Sequence, residues 1–272
     1  MSEPTVSVVI RAKDEAASIG RALELLARQT VRPEIVVVDS GSTDGTTDIV
    51  RGHDAELVEI PAGAFTFGGA LNTGTEHVTA EIVVALSAHA FPKDDGWLQR
   101  MLDAMADPGV ACASGQSADP DGSPLEHDIV QDLALARAHP LWGYSSHAGA
   151  FRRALWAQRG FRTDMTASED KEWAWHWLER GHKVVLGPGL TVEHSHVGDP
   201  ARAQFDRALR EWSWAGAFAD VPPQGVGELA ARWWRDQERY PNHVRARLSP
   251  KRLARLTGEF AGRRLARRRR AA

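Results

Sequence analysis

Residues 5–39 read TVSVVIRAKDEAASIGRALELLARQTVRPEIVVVD and predict the first β-α-β unit of the chain. The β-branched run Thr5–Ile10 predicts a buried strand, and apolar residues recur at helical spacing between Ile19 and Leu26. A second β-branched run, Glu34–Val38, predicts the next strand. A helix between two such strands is typical of a right-handed crossover, which places both strands parallel in one sheet.

The same alternation continues to about residue 115. Further strands are predicted at Glu56–Ile60, Ile82–Leu86 and Val110–Ser114. Helices are predicted to begin near Thr46, Gly69 and Trp97. Strands separated by helices of about ten residues form a mainly parallel sheet that is covered on both faces. We therefore expect an α/β fold whose first part is a Rossmann-like half.

Polar loops follow three of these strands at their carboxyl ends. They comprise residues 11–15, 39–44 and 87–92. In an open parallel sheet, the carboxyl ends of the strands line the crevice in which ligands bind. A nucleotide-type ligand is therefore expected at this edge.

Beyond Gly115 the pattern is mixed. Ile129–Ala138 predicts a helix, and a Trp-rich helix is predicted to begin at Ser168 and to end at Gly181. Short strands are predicted at Lys183–Leu186 and Leu190–His194.

Helices are also predicted in the C-terminal part of the chain. Asp199 and Pro200 are typical of a helix start, and the residues from Glu228 onwards are predicted to be helical and increasingly basic. Most tryptophans after the first half lie at helical spacing, which favours packing inside the protein over contact with a sugar. They are Trp173, Trp177, Trp212, Trp214, Trp233 and Trp234.

The overall composition is that of an ordinary globular protein. The chain has 272 residues, with 33 Lys+Arg against 36 Asp+Glu and a formal net charge of -3. Its single cysteine, Cys112, excludes an intramolecular disulfide and a cysteine-cluster metal site. No signal-peptide pattern begins the chain, and no apolar stretch approaches the roughly 20 residues that cross a bilayer. We therefore expect a cytoplasmic protein with no integral membrane role.

The net charge hides a strongly basic C-terminal segment. Residues 245–272 contain eleven Lys and Arg but one acid, Glu259, whereas the preceding residues carry an excess of acids. Residues 244–265 also alternate leucines with arginines, which is typical of a helix that lies on a membrane surface. We expect Arg245–Arg270 to bind an anionic membrane surface on the inner face of the cytoplasmic membrane. No zinc finger, helix-turn-helix or RNA-binding signature is present, so no nucleic-acid partner is expected.

Four segments occur in an order that is shared with a known family. They are residues 6–19 (VSVVIRAKDEAASI), 36–50 (VVVDSGSTDGTTDIV), 86–98 (LSAHAFPKDDGWL), and 168–173 (SEDKEW) followed by 192–196 (VEHSH). Between Val6 and His196 the chain resembles the GT-A glycosyltransferases of family 2, especially the rhamnosyltransferase-like bacterial members. Phe65–Gly74 and Ser145–Trp156 resemble that family's donor-side and acceptor-side segments.

The resemblance implies a division of the chain and a reaction. Residues 1–200 would form a GT-A glycosyltransferase domain, in which 1–116 bind the nucleotide-sugar donor and 117–200 form the abutting acceptor half with the catalytic residues. Residues 201–272 would form a helical, Trp- and Arg-rich C-terminal extension. The implied reaction moves a sugar with inversion from a nucleotide-diphosphate sugar to a hydroxyl-bearing acceptor.

The resemblance also implies the residues that contact the donor. They are Ala12, Glu15, Asp39, Asn72, Ser87 and His89. An acid at the end of a parallel strand, such as Asp39, can accept hydrogen bonds from a nucleobase or a ribose. The structural alternative is a carboxylate that stabilises a turn, and this alternative describes Asp44 better, because Ser42–Gly45 has the composition of a turn.

Ser87 and His89 depart from the family's pattern. The resemblance implies an Asp-x-Asp pair at this place, through which a divalent cation, Mn²⁺ or Mg²⁺, binds the donor diphosphate. Imidazole is a poorer ligand than carboxylate for Mg²⁺ and a better one for softer metals. His89 either coordinates such a metal, donates directly to a phosphate oxygen, or has no role in the site. The resemblance implies a second histidine at the metal or diphosphate site, for which His194 fits best and His196 is the alternative.

Glu169 and Asp170 lie at the start of the Trp-rich helix. Carboxylates at a helix N-terminus are stabilised by unpaired N–H groups, which is the structural explanation for them. The resemblance implies that Asp170 is the catalytic base that accepts the proton of the acceptor hydroxyl, with Glu169 as its positioning partner.

Two other functions remain open at this point. A sugar-1-phosphate nucleotidyltransferase would share the nucleotide-binding half, but the segment after the first strand, RAKDEAAS, lacks a glycine-rich phosphate loop. A nucleotide-sugar or glycan-binding protein descended from a glycosyltransferase is compatible with the changed residues Ser87 and His89. The donor sugar, the acceptor and the oligomeric state are not determined by these patterns.

Overall fold

The computed structural model describes residues 6–194, 200–235 and 249–270. These residues form two compact units. The first unit contains residues 6–165 and 169–194, and the second contains residues 166–168, 200–235 and 249–270. The donor and acceptor halves expected from the sequence both contribute to the first unit.

The first unit contains a large mixed sheet and a small antiparallel one. The strands are β1 (Val6–Ala12), β2 (Glu34–Asp39), β3 (Glu56–Glu59), β4 (Ile82–Ser87), β5 (Phe91–Pro92), β6 (Val110–Gly115), β7 (Ile129–Gln131), β8 (Ala148–Arg152), β9 (Lys183–Gly187) and β10 (Val192–Glu193). The order in the large sheet is β3-β2-β1-β4-β8-β6-β9-β7, and β5 pairs with β10.

Seven helices and two single 3-10 turns are described in the first unit. The helices are α1 (Ile19–Ala27), α2 (Thr46–Arg51), α3 (Phe67–Glu76), α4 (Trp97–Ala104), α5 (Leu133–Ala138), α6 (Arg153–Gln158) and α7 (Glu169–Leu178). The turns are Ala62–Ala64 and Pro188–Leu190.

The first four long strands confirm the expected parallel half. β1 is parallel to β2 and β4, and β2 is parallel to β3. Val8, Val9 and Ile10 are all fully buried, although successive side chains of a strand point to opposite faces. The sheet is therefore covered on both faces, which explains why residues 8–10 of β1 form a continuous apolar run.

The second half of the sheet is mixed, and its central strand was not predicted. β8 lies antiparallel between β4 and β6, while β6 is parallel to β9 and β9 is antiparallel to β7. The sequence of β8, Ala148–Arg152, is AGAFR, and it lacks the β-branched residues that identify the other central strands. Small residues fit here because Gly149 lies against Tyr144 and the carbonyl oxygen of Ser145.

The helix predicted at Ile129–Ala138 is wrong in its first part. Residues 129–131 form β7, which pairs with β9, and α5 begins only at Leu133. Asp132 separates the two elements because its side chain accepts a hydrogen bond from the backbone N–H of Leu135. A carboxylate at this N-cap position starts the helix and ends the strand.

The predicted strand Leu190–His194 is also shorter than expected. Of the described residues 190–194, only Val192 and Glu193, which form β10, are paired in a sheet. They pair with Pro92 and Phe91 of β5. The 3-10 turn Pro188–Leu190 occupies the start of the predicted strand.

The Trp-rich helix α7 contributes mainly to the core. Trp173 is fully buried, and its ring centroid lies 5.8 Å from that of Phe151 and 5.2 Å from that of Phe161. Its indole N–H donates to the carbonyl oxygen of Arg159 at 2.7 Å. Packing therefore accounts for Trp173, as its helical spacing indicates.

The second unit contains three described helices, α8 (Ala201–Ala215), α9 (Val226–Arg235) and α10 (Pro250–Arg270). α10 packs along α8 through small residues. A Cβ atom on Gly262 would lie 2.7 Å from Cβ of Trp212 and 2.8 Å from the carbonyl oxygen of Leu209. The backbones of the two helices therefore approach each other closely at this point.

The packing of α10 corrects part of the expected membrane-surface helix. Among the leucines of this segment, Leu256 is buried, whereas Leu253 and Leu265 are exposed. Glu259 is also buried and accepts hydrogen bonds from Arg232 and Arg263. The N-terminal part of the expected helix, residues 244–248, lies outside the described residues. Among the described helices, none is both long and apolar enough to span a membrane.

Gly74 of α3 is required where this helix meets the sheet. A Cβ atom there would overlap with Val9 and lie 2.9 Å from Cγ2 of Val38. We expect Gly74→Ala to lower the free energy of unfolding by about 1–3 kcal/mol, because both valines are buried branched side chains that cannot move away. Denaturant unfolding measures this change. Gly63→Ala is the control, since its Cβ meets nothing within 4 Å, and an equal loss in both variants would contradict the prediction.

Candidate active site

The loops after β1 and β2 form one hydrogen-bonded structure. In the sheet, Ala12 lies opposite Asp39, so the two strands end together. The backbone N–H of Asp14 donates to the hydroxyl of Ser42 at 2.8 Å, and the carboxylate of Asp14 accepts from the backbone N–H of Thr43 at 2.8 Å. Asp14 has a left-handed backbone with φ of 52°, which orients it for both contacts. The two loops are therefore held in a single conformation.

The carboxylate of Asp39 stabilises its own turn. It accepts hydrogen bonds from the backbone N–H groups of Gly41 at 2.9 Å and Ser42 at 2.8 Å, and from the Ser42 hydroxyl. Asp39 is fully buried. These contacts match the structural alternative raised for an acid at this position, and a nucleotide contact by Asp39 stays a prediction. Asp44 has the expected turn role, since it accepts hydrogen bonds from Thr46.

Ala12 and Asn72 also make contacts within the protein. The carbonyl oxygen of Ala12 accepts from the backbone N–H of Ser40 at 3.1 Å. The side chain of Asn72 accepts from the indole of Trp156 and the backbone N–H of Phe161, and it donates to the carbonyl oxygen of Phe161. The amide of Asn72 thus ties α3 to the segment after α6, and its donor contact stays a prediction.

Glu15 and His89 form a pair at the ends of β1 and β4. Nδ1 of His89 donates to Oε1 of Glu15 at 2.7 Å, and the hydroxyl of Ser18 donates to Oε2 at 2.5 Å. Burial acts to raise the pKa of Glu15, but the hydrogen bonds from His89 and Ser18 outweigh it, so the pKa lies below its ordinary value. Glu15 is therefore an ionised carboxylate that holds the ring of His89 in place.

Three histidines are stacked in this region, which we call the histidine column: His89, His194 and His147. The ring centroid of His194 lies 5.0 Å from that of His89 and 4.8 Å from that of His147, with interplanar angles of 14° and 26°. The hydroxyl of Ser145 forms a 2.7 Å hydrogen bond with Nδ1 of His147. The backbone N–H of Ser87 donates to the carbonyl oxygen of His147. His147 was not predicted from the sequence, because no metal-binding or catalytic spacing connects it with His89.

The arrangement of these side chains does not fit a divalent cation. A histidine binds a metal ion in the plane of its ring, so the nearly parallel rings of His89 and His194 do not point at a common ion. Glu15 is the carboxylate beside them, and His89 already occupies one of its oxygens. In the described part of the chain, no three His, Cys, Asp or Glu side chains are placed to share one metal ion. His196, the alternative ligand, lies outside the described residues.

Glu169 and Asp170 form a buried carboxylate pair at the first turn of α7. Oδ2 of Asp170 accepts from the backbone N–H of Ser146 at 2.9 Å, and Oδ1 accepts from the backbone N–H of Lys171 at 2.7 Å. The hydroxyl of Ser146 lies 3.5 Å from Oε1 of Glu169. The segment before β8, which carries Ser146, therefore orients both carboxylates.

The two carboxylates differ in their proton affinity. Burial, and then the negative charge of Asp170, raise the pKa of Glu169 to about 7. Burial also acts to raise the pKa of Asp170, but Lys171 and the two backbone hydrogen bonds outweigh it and place the pKa below its ordinary value. Asp170 is therefore ionised at neutral pH, while Glu169 gains or loses a proton near pH 7.

Arg11 is a site residue that the sequence analysis did not assign. Its Nη1 lies 3.7 Å from Oε1 of Glu169, and its Nη2 donates to the carbonyl oxygen of Ser146 at 2.8 Å. Arg11 belongs to β1, so it connects the strand-end loops with the carboxylate pair. The signal in the sequence was a basic residue between Ile10 and Ala12 in an otherwise apolar strand.

Comparison with known families supports the interpretation of these motifs. Residues 7–158, more than half of the chain, match the sequence profile of glycosyl transferase family 2. The chain belongs to glycosyl transferase family 2. The resemblance that the four segments indicated is thereby confirmed.

Two curated relatives of this family 2 chain are named as glycosyltransferases. The O-antigen chain rhamnosyltransferase WbaN of Salmonella anatum is 25% identical over 203 residues, which are 66% of this chain and 62% of the relative. The validoxylamine A glucosyltransferase of Streptomyces hygroscopicus subsp. limoneus is 27% identical over 239 residues, which are 72% of this chain and 51% of the relative. The matches therefore span between about half and three fifths of the length of these two relatives.

A solved structure confirms the predicted GT-A fold of the family 2 chain. The mannosyltransferase PcManGT from Pyrobaculum calidifontis, in complex with GDP-Man and Mn²⁺, has a TM-score of 0.68. The similarity covers 100% of this chain and 88% of that chain, at 22% sequence identity. A divalent cation is thus present in a structural relative, and cation use by this chain stays a prediction.

The arrangement of His89, His194 and Glu15 predicts weak Mn²⁺ binding by the unmodified protein. We expect the double substitution Ser87→Asp and His89→Asp to bind Mn²⁺ about tenfold more tightly or better, since it places two carboxylates beside Glu15. The electron paramagnetic resonance signal of free Mn²⁺ measures the affinity. His77→Asp is the control, because it replaces a histidine with aspartate at the C-terminal end of α3, away from the candidate site. Tight Mn²⁺ binding by the unmodified protein would contradict this and favour His89 and His194 as metal ligands.

Proposed function

We propose that this chain catalyses inverting transfer of a sugar from a nucleotide-diphosphate sugar to a hydroxyl acceptor. The observation that carries the proposal is the buried pair Glu169 and Asp170, which Arg11 connects to the strand-end loops. Ligands of open parallel sheets bind at such loops, and family 2 membership supports a sugar donor. The acceptor class that we propose is a glycan, a lipid-linked saccharide or a natural product.

In this proposal Asp170 is the catalytic base. Each carboxylate oxygen has two lone pairs, and each oxygen of Asp170 accepts one described backbone hydrogen bond. An ionised Asp170 can therefore still accept a proton. The acceptor oxygen bonds to the anomeric carbon while its O–H proton passes to Asp170. The bond from the anomeric carbon to the diphosphate oxygen breaks with its electrons, and the nucleoside diphosphate leaves from the opposite face.

His89 is proposed to act on the donor diphosphate. Its Nδ1 is bound to Glu15, so Nε2 is the nitrogen that would face a phosphate oxygen. Donation from Nε2 as well as from Nδ1 requires the imidazolium form, in which both ring nitrogens carry a proton. Hydrogen-bond donors that are already oriented stabilise the charge that develops on a leaving group. Ala12, Glu15, Asp39, Asn72 and Ser87 are proposed to line the same donor site. Mn²⁺ or Mg²⁺, held by His89 and His194, is the alternative that a cation series tests.

Asp170→Asn tests the reaction and the base together. We expect the release of nucleoside diphosphate to fall about 100-fold or more, because an amide cannot accept the proton. A panel of nucleotide sugars is assayed with chelator, with Mg²⁺ and with Mn²⁺. Asp103→Asn is the control, since Asp103 is an exposed carboxylate of α4.

Three outcomes would contradict parts of this proposal. Unchanged turnover by Asp170→Asn would remove Asp170 from the role of base. Binding of nucleotide sugars without turnover under any condition would favour a nucleotide-sugar or glycan-binding protein. Release of inorganic diphosphate from a nucleoside triphosphate and a sugar 1-phosphate would indicate a nucleotidyltransferase.

We further propose that the second unit binds an anionic membrane surface, as expected for Arg245–Arg270. Its described residues expose Trp234 at 59% and Leu253 at 52%. Exposed cations also lie on α10, namely Lys251, Arg255, Arg264 and Arg267. Aromatic, leucine and arginine side chains together are typical of protein surfaces that lie at the level of lipid headgroups. This proposal places the protein peripherally on the inner face of the cytoplasmic membrane.

Point substitutions test membrane binding better than a deletion, because removing α10 would also remove the partner of α8. We expect Arg264→Glu combined with Arg267→Glu to weaken sedimentation with phosphatidylserine-containing vesicles at least tenfold. Arg28→Glu combined with Arg32→Glu, at exposed positions of the first unit, makes the same change of charge. Equal loss in both double variants, or binding to neutral vesicles alone, would contradict the proposal.

A further inference from the structure

Arg11 is a buried guanidinium whose hydrogen bonds are incomplete. Its side chain is 8% exposed. Nη2 donates to the carbonyl oxygen of Ser146, whereas Nη1 has no hydrogen-bond partner among the described residues. The contact of Nη1 with Glu169, at 3.7 Å, is an ion pair that is too long for a hydrogen bond. Arg11 is thus a fixed positive charge next to the carboxylate pair.

Structural stability alone does not explain a charge at this place. A buried ion pair seldom stabilises a fold more than apolar side chains of similar volume do. Val9, two residues before Arg11 in β1, points to the same face of the sheet and is a fully buried apolar residue, so this face accepts apolar side chains. The geometry of Arg11 toward Glu169 therefore indicates a role in the site.

Charged and titratable groups face the carboxylate pair from each surrounding element. Lys171, on α7 itself, donates through Nζ to the carbonyl oxygens of Gly143 and Tyr144. The phenol of Tyr144 and the thiol of Cys112, on β6, are buried. Burial is the main cause that raises the pKa of both groups well above their ordinary values, so both are neutral. In the described part of the chain, the cations that act on the pair are Lys171 and Arg11, and Arg11 makes the ion pair with Glu169.

We propose that Arg11 is a positioning residue that favours the ionised form of Glu169, and thereby sets the pH above which the carboxylate pair can accept the proton of the acceptor. This inference rests on the proposed function of the pair. An ionised Glu169 next to Asp170 increases the proton affinity of Asp170, because two adjacent carboxylates repel each other and one proton relieves the repulsion. Arg11 acts through Glu169 and contacts no reacting atom.

The direction of the effect follows from the charges at Glu169. Burial and then Asp170 raise the pKa of Glu169 to about 7, and Arg11 opposes both of them. Removing the guanidinium would raise this pKa further. Glu169 would then stay protonated at neutral pH, and activity would appear only at higher pH.

The test compares the pH profiles of kcat for unmodified protein, Arg11→Met and Arg11→Lys. The acidic limb is expected to move up by about one pH unit or more in Arg11→Met, the size of shift that one close cation causes. Arg11→Lys is expected to restore part of the shift, and KM for the donor should change less than twofold.

Arg152 provides a matched control. It is a second arginine of low exposure in the sheet, on β8, and its side chain pairs with Glu81 at 2.6 Å and is 11% exposed. Arg152→Met is expected to lower the unfolding temperature and to leave the acidic limb in place. A folded Arg11→Met with an unmoved acidic limb would overturn the inference.

A spectroscopic readout keeps the inference separate from the proposed reaction. The titration of the Glu169 carboxyl is followed by carbon-13 NMR, with Glu169→Gln to assign the signal, in unmodified protein and in Arg11→Met, or in Arg11→Gln if Arg11→Met does not fold. A midpoint at higher pH in the neutral variant supports the inference even if no donor is turned over, a result that would count only against the proposed reaction. An identical midpoint in a folded neutral variant overturns the inference even if the enzyme is active.

Discussion

The position of β1 between β2 and β4 is the constraint on which the candidate site depends. Ala12 pairs with Asp39 on one side, and Arg11 pairs with Ser87 on the other. This register brings the ends of three strands to one edge of the sheet and places the loops after β1 and β2 within hydrogen-bonding distance. A shift of one residue would turn every side chain of β1 to the opposite face. Because both faces of β1 are apolar, burial alone would not oppose such a shift. The shift would instead remove the contacts of Arg11 with the carbonyl oxygen of Ser146 and with Glu169.

The carboxylate pair shows how the mixed half of the sheet contributes to the site. Two acids are adjacent in sequence and both are buried, which is unfavourable unless the surroundings compensate their charge. The segment before β8 supplies the backbone N–H of Ser146, α7 supplies Lys171, and β1 supplies Arg11. The resulting asymmetry gives the two acids different proton affinities, with Asp170 ionised and Glu169 close to its midpoint at neutral pH. A pair with separated proton affinities suits a reaction in which one group accepts a proton.

The histidine column is where this chain departs from the pattern of its family. Ser87 and His89 occupy the places of two acids, and His89 stacks on His194. Imidazole rings in a stack offer N–H donors to phosphate oxygens, whereas a pair of acids offers ligands to a cation. The charge on a leaving diphosphate can be stabilised in either way. In the proposed function, the side chains near Glu15 would stabilise this charge by N–H donation, with the donor bound at the sheet edge.

The sequence by itself determined the alternating strands and helices of the first half, the polar loops at the strand ends, the family, and the basic character of the last helix. These features follow from local periodicity and from short motifs. Only the tertiary structure decided that AGAFR forms the strand between β4 and β6, that Asn72 binds Trp156 and Phe161, that Leu256 is buried, and that Arg11 faces Glu169. Each of these depends on a contact with a residue far away in the sequence. A local pattern indicates that a residue is buried or charged, but it does not identify the distant residue that it contacts.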